Sequence, residues 1–155
     1  LGDLKALGIM PSFFVSHVYY WGDIHIKNYG MERASKISLA KSAQDEGILY
    51  TFHQDAPVIE PNMLETIWCA VNRITKNGGL LGEEERVSPL DALKAVTKNA
   101  AYQYFEEDIK GTLKEGKVAD LVILDKNILK VDPMEIKDIQ VLETIKEGET
   151  IFKKQ

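Results

Sequence analysis

A single cysteine, Cys69, excludes an internal disulfide framework and suits a reducing compartment, so the expected location is the cytoplasm. No apolar run approaches the roughly 20 residues that a membrane helix needs, and no signal peptide is visible. Basic clusters are also missing. Lys plus Arg number 19 against 24 Asp plus Glu, a net charge of −5 that argues against nucleic acid and anionic lipid as partners. Histidine is scarce, with three in 155 residues, and none stands in H-x-H or H-E-x-x-H spacing. The glycines Gly111, Gly116 and Gly148 occupy turn positions without phosphate-loop spacing. What is present is an ordinary globular balance, 45% hydrophobic and 28% charged, which excludes intrinsic disorder.

Ile9 to Ser16 is an apolar run with β-branched and aromatic residues, predicting a buried strand of a parallel sheet that ends at His17. A polar-aromatic loop, Tyr19 to Asp23, is expected next, with His25 solvated. From Met31 to Glu46 the spacing of Ala34, Ile37, Ala40 and Ala43 predicts a helix, stopped by Gly47. Ile48 to Phe52 predicts a second buried strand, ending at His53-Gln54-Asp55. Pro61 starts a helix whose inner face is Leu64, Ile67, Trp68, Val71 and Ile74, with Cys69 a buried, inert thiol. Gly78 to Arg86 reads as a mobile acidic loop carrying the solvated run Glu83-Glu84-Glu85. Ser88, Pro89 and Asp91 cap a third helix, with Leu90, Leu93, Val96, Thr97, Ala100 and Ala101 facing inward. Val118 to Leu124 predicts a strand, and Val141 to Phe152 a hairpin turning at Glu147-Gly148-Glu149. Strand–helix alternation followed by a β-rich tail is an α/β pattern with right-handed crossovers. Two such units do not close a sheet. With Leu1 rather than Met at the start, the expectation is the C-terminal portion of a longer chain, inactive alone and prone to self-association along its open edge.

Reactive residues of parallel α/β folds sit at the C-terminal ends of strands. His17 closes one predicted strand, and His53 and Asp55 close the next, so a shared site is expected there. Imidazole and carboxylate are ordinary metal ligands, and a carboxylate also serves as general base. A histidine at a strand end also caps or packs, and an aspartate before Ala56-Pro57 also forms a turn; the residues alone leave these readings open. Tyr19-Tyr20-Trp21 either lines a pocket or packs over the strand ends.

Ser88-Pro89-Leu90-Asp91-Ala92-Leu93 through Thr97-Lys98-Asn99-Ala100-Ala101, followed by Lys110-Gly111-Thr112-Leu113 and Gly116-Lys117-Val118-Ala119-Asp120-Leu121-Val122-Ile123-Leu124-Asp125, closely resembles the C-terminal signature of the amidohydrolase superfamily. Phe52-His53-Gln54-Asp55-Ala56-Pro57-Val58 looks like the last-strand "S-D-A-P-V" element of its YtcJ-like amidohydrolase 3 branch, and Phe13 to Asp23 is similar to the segment just before it. The resemblance covers essentially the whole chain and implies the C-terminal part of a (β/α)8 TIM barrel, its seventh and eighth strands with following helices, over residues 1–108. Residues 109–155 would be strands of a small composite β-sandwich. It implies hydrolysis of non-peptide C–N bonds, amide or cyclic amide, in a small-molecule substrate by water activated on a divalent metal, zinc by preference. Of the family's metal ligands only the last aspartate maps here, onto Asp55, as ligand and proton acceptor. His17, His53, Tyr20 and Trp21 would contact substrate, with His53 standing where many relatives carry a small residue. The other ligands would come from the remainder of the same chain. The competing readings are a non-catalytic amidohydrolase-like protein with a regulatory or binding role, and an autonomous small module for protein contact.

Overall fold

The computed structural model describes residues 1–155. After a short helix α1 (Gly2–Ala6), the apolar run forms only a brief strand, β1 (Ser12–Phe13), because its partner β2 (Thr51–Phe52) is equally short. The two are parallel in the register Ser12↔Thr51 and Phe13↔Phe52. Flanking backbone bonds extend the ladder, from Thr51 N–H to the Pro11 carbonyl (3.0 Å) and from His53 N–H to Phe13 (3.1 Å). Parallel strands need a crossover, here α2 (His17–Tyr29), α3 (Met31–Ala34) and α4 (Ala40–Asp45). No third strand joins this pair.

Two expectations fail inside that crossover. Tyr19 to Asp23 is helix rather than loop, because His17, Trp21, His25 and Tyr29 recur at four-residue spacing and share one face of α2. Gly22, read as a loop marker, is instead a docking point: a Cβ there would lie 2.8 Å from Thr75 Cγ2 and 3.0 Å from Leu81 Cδ2. The helix expected from Met31 to Glu46 is broken, with Ser38 at φ 51°. The carbonyls of Ser35, Ile37 and Ser38 that a continuous helix would use internally accept hydrogen bonds from the buried guanidinium of Arg73.

Helix α5 (Met63–Asn72) starts one residue beyond Pro61-Asn62, with Asn62 Oδ1 accepting from Glu65 N–H (3.2 Å). It is buried all round from Thr66 to Asn72 rather than along one stripe. Trp68 Nε1 donates to the Met134 carbonyl (3.1 Å) and Asn72 Nδ2 to Pro133 (2.9 Å), which ties α5 to a 3₁₀ helix at Pro133–Asp138. Cys69 is buried as expected, and burial pushes its thiol up to about 12. The segment from Gly78 to Arg86 is not a loose loop. Leu80 bridges to Ile74, Leu81 is fully buried, and Glu85 is only 4% exposed, accepting from the Ser42 N–H (2.9 Å) and hydroxyl.

Helix α6 (Pro89–Val96) begins as its cap predicts. Asp91 N–H donates to Ser88 Oγ (3.1 Å), and Ser88 Oγ donates to Asp91 Oδ2 (2.6 Å). The inward face is Ala92 and Ala95, while Leu90 is 46% exposed, because small residues let the helix lie close to β2 and α5. Thr97 leaves helical geometry and α7 (Lys98–Gln103) follows. Replacing Ser88 by Ala is expected to remove about 1 kcal/mol of stability, read as a lower urea midpoint. The Ser88 hydroxyl, with Lys94 and Gln44, holds the Asp91 carboxyl below its ordinary value. That stability is present above about pH 4 and is lost as pH falls toward the lowered folded value. The Ser88→Ala deficit should therefore shrink in acid.

The last third is β-rich. Strands β3 (Leu121–Leu124), β4 (Val141–Lys146) and β5 (Glu149–Lys153) form an antiparallel sheet in that order. Strand β3 is shorter than the apolar run from Val118. Glu147 (φ 52°) and Gly148 (φ 86°) make the two-residue turn between β4 and β5, both in the left-handed region that this hairpin requires. Ile128, Ile136 and Ile139 from this third join Val15, Ile67, Trp68, Ala92 and Ala95 in one core. No helix is long and apolar enough to cross a membrane.

Candidate active site at the ends of the parallel strands

Both parallel strands deliver polar side chains at their C-terminal ends. His17 is the first residue of α2, three positions beyond Phe14, and His53 directly follows β2. The parallel pairing holds them to a common neighbour. The Phe14 ring lies 4.4 Å from the His17 ring and 5.4 Å from the His53 ring, centre to centre. His53 is further tied across the strands by a hydrogen bond of 2.9 Å between its Nδ1 and the Ser12 hydroxyl. Gln54 turns inward, donating to Thr66 Oγ1 (2.9 Å), and so anchors the turn from inside. Asp55 follows in the left-handed region (φ 51°), and its side chain is exposed. An aspartate tolerates that conformation better than most residues. Strand alternation has therefore ended before Asp55.

Trp21 packs one helical turn along from His17, with ring centres 4.9 Å apart. Tyr20 takes a different direction: its hydroxyl donates to Glu65 Oε1 (2.6 Å), pinning α2 to the first turn of α5. That bond, with burial, raises the Tyr20 pKa well above the ordinary phenol value, so the hydroxyl stays protonated. A cleft of about 400 Å³ opens beside Ser12, Thr51, His53, Asp55 and Gln103. A larger cavity, about 590 Å³, lies between α6, α7 and β3, but its lining is mostly apolar and Lys110 there pairs with Glu106 (3.1 Å). The smaller cleft holds His53 and Asp55, whereas His17, Tyr20 and Trp21 do not line it.

Burial lowers the His17 pKa, the charges of His25 and His53 lower it further, and Asp55 opposes them. His17 is accordingly neutral at neutral pH. A base whose pKa is depressed on folding imposes no penalty above its unfolded value, about 6.5, and destabilises the fold as pH drops from there toward the folded value. The urea midpoint is expected to fall between about pH 7.5 and about pH 5.5, and His17→Gln should narrow that fall.

Two residues escaped the sequence reading. Phe14 is the shared wall of both imidazoles. His25, expected in a solvated loop, stacks on His17 at 5.6 Å with rings 19° from parallel. The four-residue spacing of His17, Trp21, His25 and Tyr29 was the available signal. As a test of metal fit, no three His, Cys, Asp or Glu side chains converge anywhere in the chain. The exposed carboxylate of Asp55 suits one ligand position, and these residues do not complete a metal centre by themselves.

Residues 1–152 match the model of a family described as an amidohydrolase family. The chain is similar to the N-substituted formamide deformylase of Arthrobacter pascens, 29% identical over 129 residues that cover 83% of this chain and 24% of that protein. It is also similar to the putative amidohydrolase YtcJ of Bacillus subtilis, 27% identical over 152 residues, covering 96% of this chain and 28% of that protein. The chain thus spans about a quarter of the length of these curated relatives. Among solved structures, an uncharacterized metal-dependent hydrolase from Pyrococcus horikoshii superposes with a TM-score of 0.71 at 24% identity, over 85% of this chain and 27% of that one.

Proposed function

Because the chain belongs to the amidohydrolase family, we propose that its residues form part of the active site of a hydrolase that cleaves non-peptide C–N bonds, amide or cyclic amide, in a small molecule. In this reading β1 and β2 are the seventh and eighth strands of a (β/α)8 barrel carried mainly by residues 1–108, and residues 109–155 belong to a composite sandwich. The observation that carries the proposal is the placing of His17 and His53 against one Phe14 ring beyond the C-terminal ends of adjacent parallel strands, with His53 and Asp55 lining the same cleft.

Asp55 would be one ligand of a divalent metal, zinc by preference, with the remaining ligands from residues outside these 155. When bound, that metal supplies Lewis acidity and acidifies the attacking water. The chain's own groups do the rest. An Asp55 carboxylate oxygen accepts the proton of the water that adds to the amide carbon, and the proton then passes to the departing nitrogen as the C–N bond breaks. Neutral His17 donates a ring N–H to the polarised carbonyl oxygen. His53, fixed through Ser12, and Trp21 would line the substrate, while Tyr20, held by Glu65, packs against Trp21 rather than contacting substrate as the sequence suggests.

The test is release of amine from N-substituted formamides and of ring-opened product from cyclic amides. The 155-residue chain alone is expected to release none. A longer natural polypeptide that carries these residues together with an H-x-H pair should release product and lose that activity in chelator. Chelator-insensitive turnover would overturn the metal role, and binding without turnover would favour a non-catalytic, regulatory role.

A further inference from the structure

Two neighbouring side chains in the first turn of α5 reach opposite halves of the proposed site. Glu65 Oε1 accepts from the Tyr20 hydroxyl (2.6 Å), and Tyr20 stands on α2 three positions beyond His17 and next to Trp21. Thr66 Oγ1 accepts from Gln54 Nε2 (2.9 Å), and Gln54 stands between His53 and Asp55. The two contacts are joined through Asn62. Its Oδ1 accepts from the Glu65 N–H (3.2 Å), and its carbonyl accepts from the Thr66 hydroxyl (3.2 Å). One run of hydrogen bonds therefore leads from α2, through the cap of α5, to the turn after β2. Neither Glu65 nor Thr66 lines the cleft.

The run is costly where it is buried. Thr66 is fully buried and Gln54 is 6% exposed, so both polar groups give up water for one another. Apolar packing already joins α2 to α5, since the Tyr19 ring meets Trp68 edge-on at 5.3 Å. Such packing is non-directional, whereas a hydrogen bond weakens steeply as its angle closes. What the polar run adds is direction. Gln54, held inward, sends the chain into Asp55 at φ 51° with the Asp55 side chain exposed. Tyr20, held by Glu65, fixes the rotation of α2 about its axis, and with it the heading of His17 and Trp21.

We infer that Glu65 and Thr66 are positioning residues for the proposed amide hydrolysis: the first turn of α5 sets where the His17 donor stands relative to the Asp55 carboxylate. The inference rests on the hydrolase reading and adds to it the parts that hold the reacting groups in place. A misplacement of about 1 Å costs on the order of a hundredfold in rate, so these bonds act on turnover more than on substrate binding.

The test uses Thr66→Val, which keeps the side-chain shape and removes the hydroxyl, and Tyr20→Phe, which removes only the hydroxyl held by Glu65. In the isotope-labelled 155-residue chain, Thr66→Val should shift the amide resonances of His53 and Asp55. Tyr20→Phe should shift the ring resonances of His17 and Trp21. In the longer, metal-saturated polypeptide each should lower kcat by about tenfold to a hundredfold, with KM within about threefold of wild type. Thr66→Ser keeps a hydroxyl and Glu65→Gln keeps an acceptor oxygen, so both should retain most of the wild-type kcat. Urea midpoints of all four variants separate positioning from stability. Tyr20→Phe, at a half-buried site, stays readable if Thr66→Val, at a buried one, does not fold. A lowered midpoint with unmoved resonances at His17 and Asp55 assigns a structural role alone and overturns the inference. Wild-type kcat in Thr66→Val and Tyr20→Phe overturns it too, and leaves the hydrolase reading standing. If the unsubstituted longer polypeptide hydrolyses neither N-substituted formamides nor cyclic amides, the hydrolase reading itself fails and the positioning role falls with it.

Discussion

Replacing Asp55 by Asn is expected to lower turnover by about a thousandfold or more while leaving stability nearly unchanged. The side chains are isosteric. Asp55 sits in the left-handed region at φ 51°, which asparagine tolerates as readily as aspartate. Its carboxylate is exposed, so no buried partner is stranded by the change. What is lost is the negative charge at the proposed metal-ligand position and the only proton acceptor that the proposal assigns. The check is kcat in the longer, metal-saturated polypeptide that carries these residues, beside the urea midpoint of the same variant. A kcat within about tenfold of wild type would remove Asp55 from the chemistry.

The largest loss of stability is expected at Arg73. Its side chain is fully buried and follows α5 with φ 54°. The guanidinium donates from Nε to Leu81 (2.9 Å), from Nη1 to Ser38 (3.1 Å), and from Nη2 to Ile37 (2.9 Å) and Ser35 (3.3 Å), all backbone carbonyls. Burial lowers its pKa to about 10, with nearby Glu85 opposing, so it remains charged at neutral pH. Gly82 leaves room for it: a Cβ there would lie 2.5 Å from Arg73 Nη2 and 2.3 Å from the Ser35 carbonyl. Methionine fills much of the volume but satisfies none of those carbonyls. Arg73→Met is expected to lose about 3–5 kcal/mol, a large share of the roughly 5–15 kcal/mol that a domain holds. Arg73→Lys, a single ammonium in place of a planar fork, should recover only part. Equilibrium urea unfolding measures both, and a loss below about 1 kcal/mol for Arg73→Met would show that the carbonyls find other partners.

Arg73 also marks the limit of what the sequence makes legible. Local signals were sufficient where local chemistry decides, as at the Ser88-Pro89-Leu90-Asp91 cap and the Glu147-Gly148 turn. The parallel pairing and the placing of His17 and His53 at strand ends also followed, because buried apolar runs bounded by polar residues leave few alternatives. The broken crossover did not. Its periodicity is helical, and only a guanidinium arriving from 35 residues downstream takes the carbonyls that would have propagated the helix. The acidic run after Gly82 was misread for the same reason, since Glu85 is buried by its bonds to Ser42 rather than solvated. The α2 stripe was legible in principle, but Gly22 and the dense aromatics resembled a loop until the close approach to Thr75 explained the glycine. A left-handed Asp55 cannot be read from a strand pattern at all.

The most direct test of the account is a titration of the isotope-labelled chain with Mn²⁺, following paramagnetic broadening residue by residue. Carboxylate and imidazole donors both accept this ion. The account predicts weak binding, since the chain brings no three ligands together, with broadening centred on Asp55 and reaching His17 and His53. Broadening centred on Glu83 and Glu84, with Asp55 and both histidines unaffected, would contradict the placing of the metal-facing edge at the ends of these two strands.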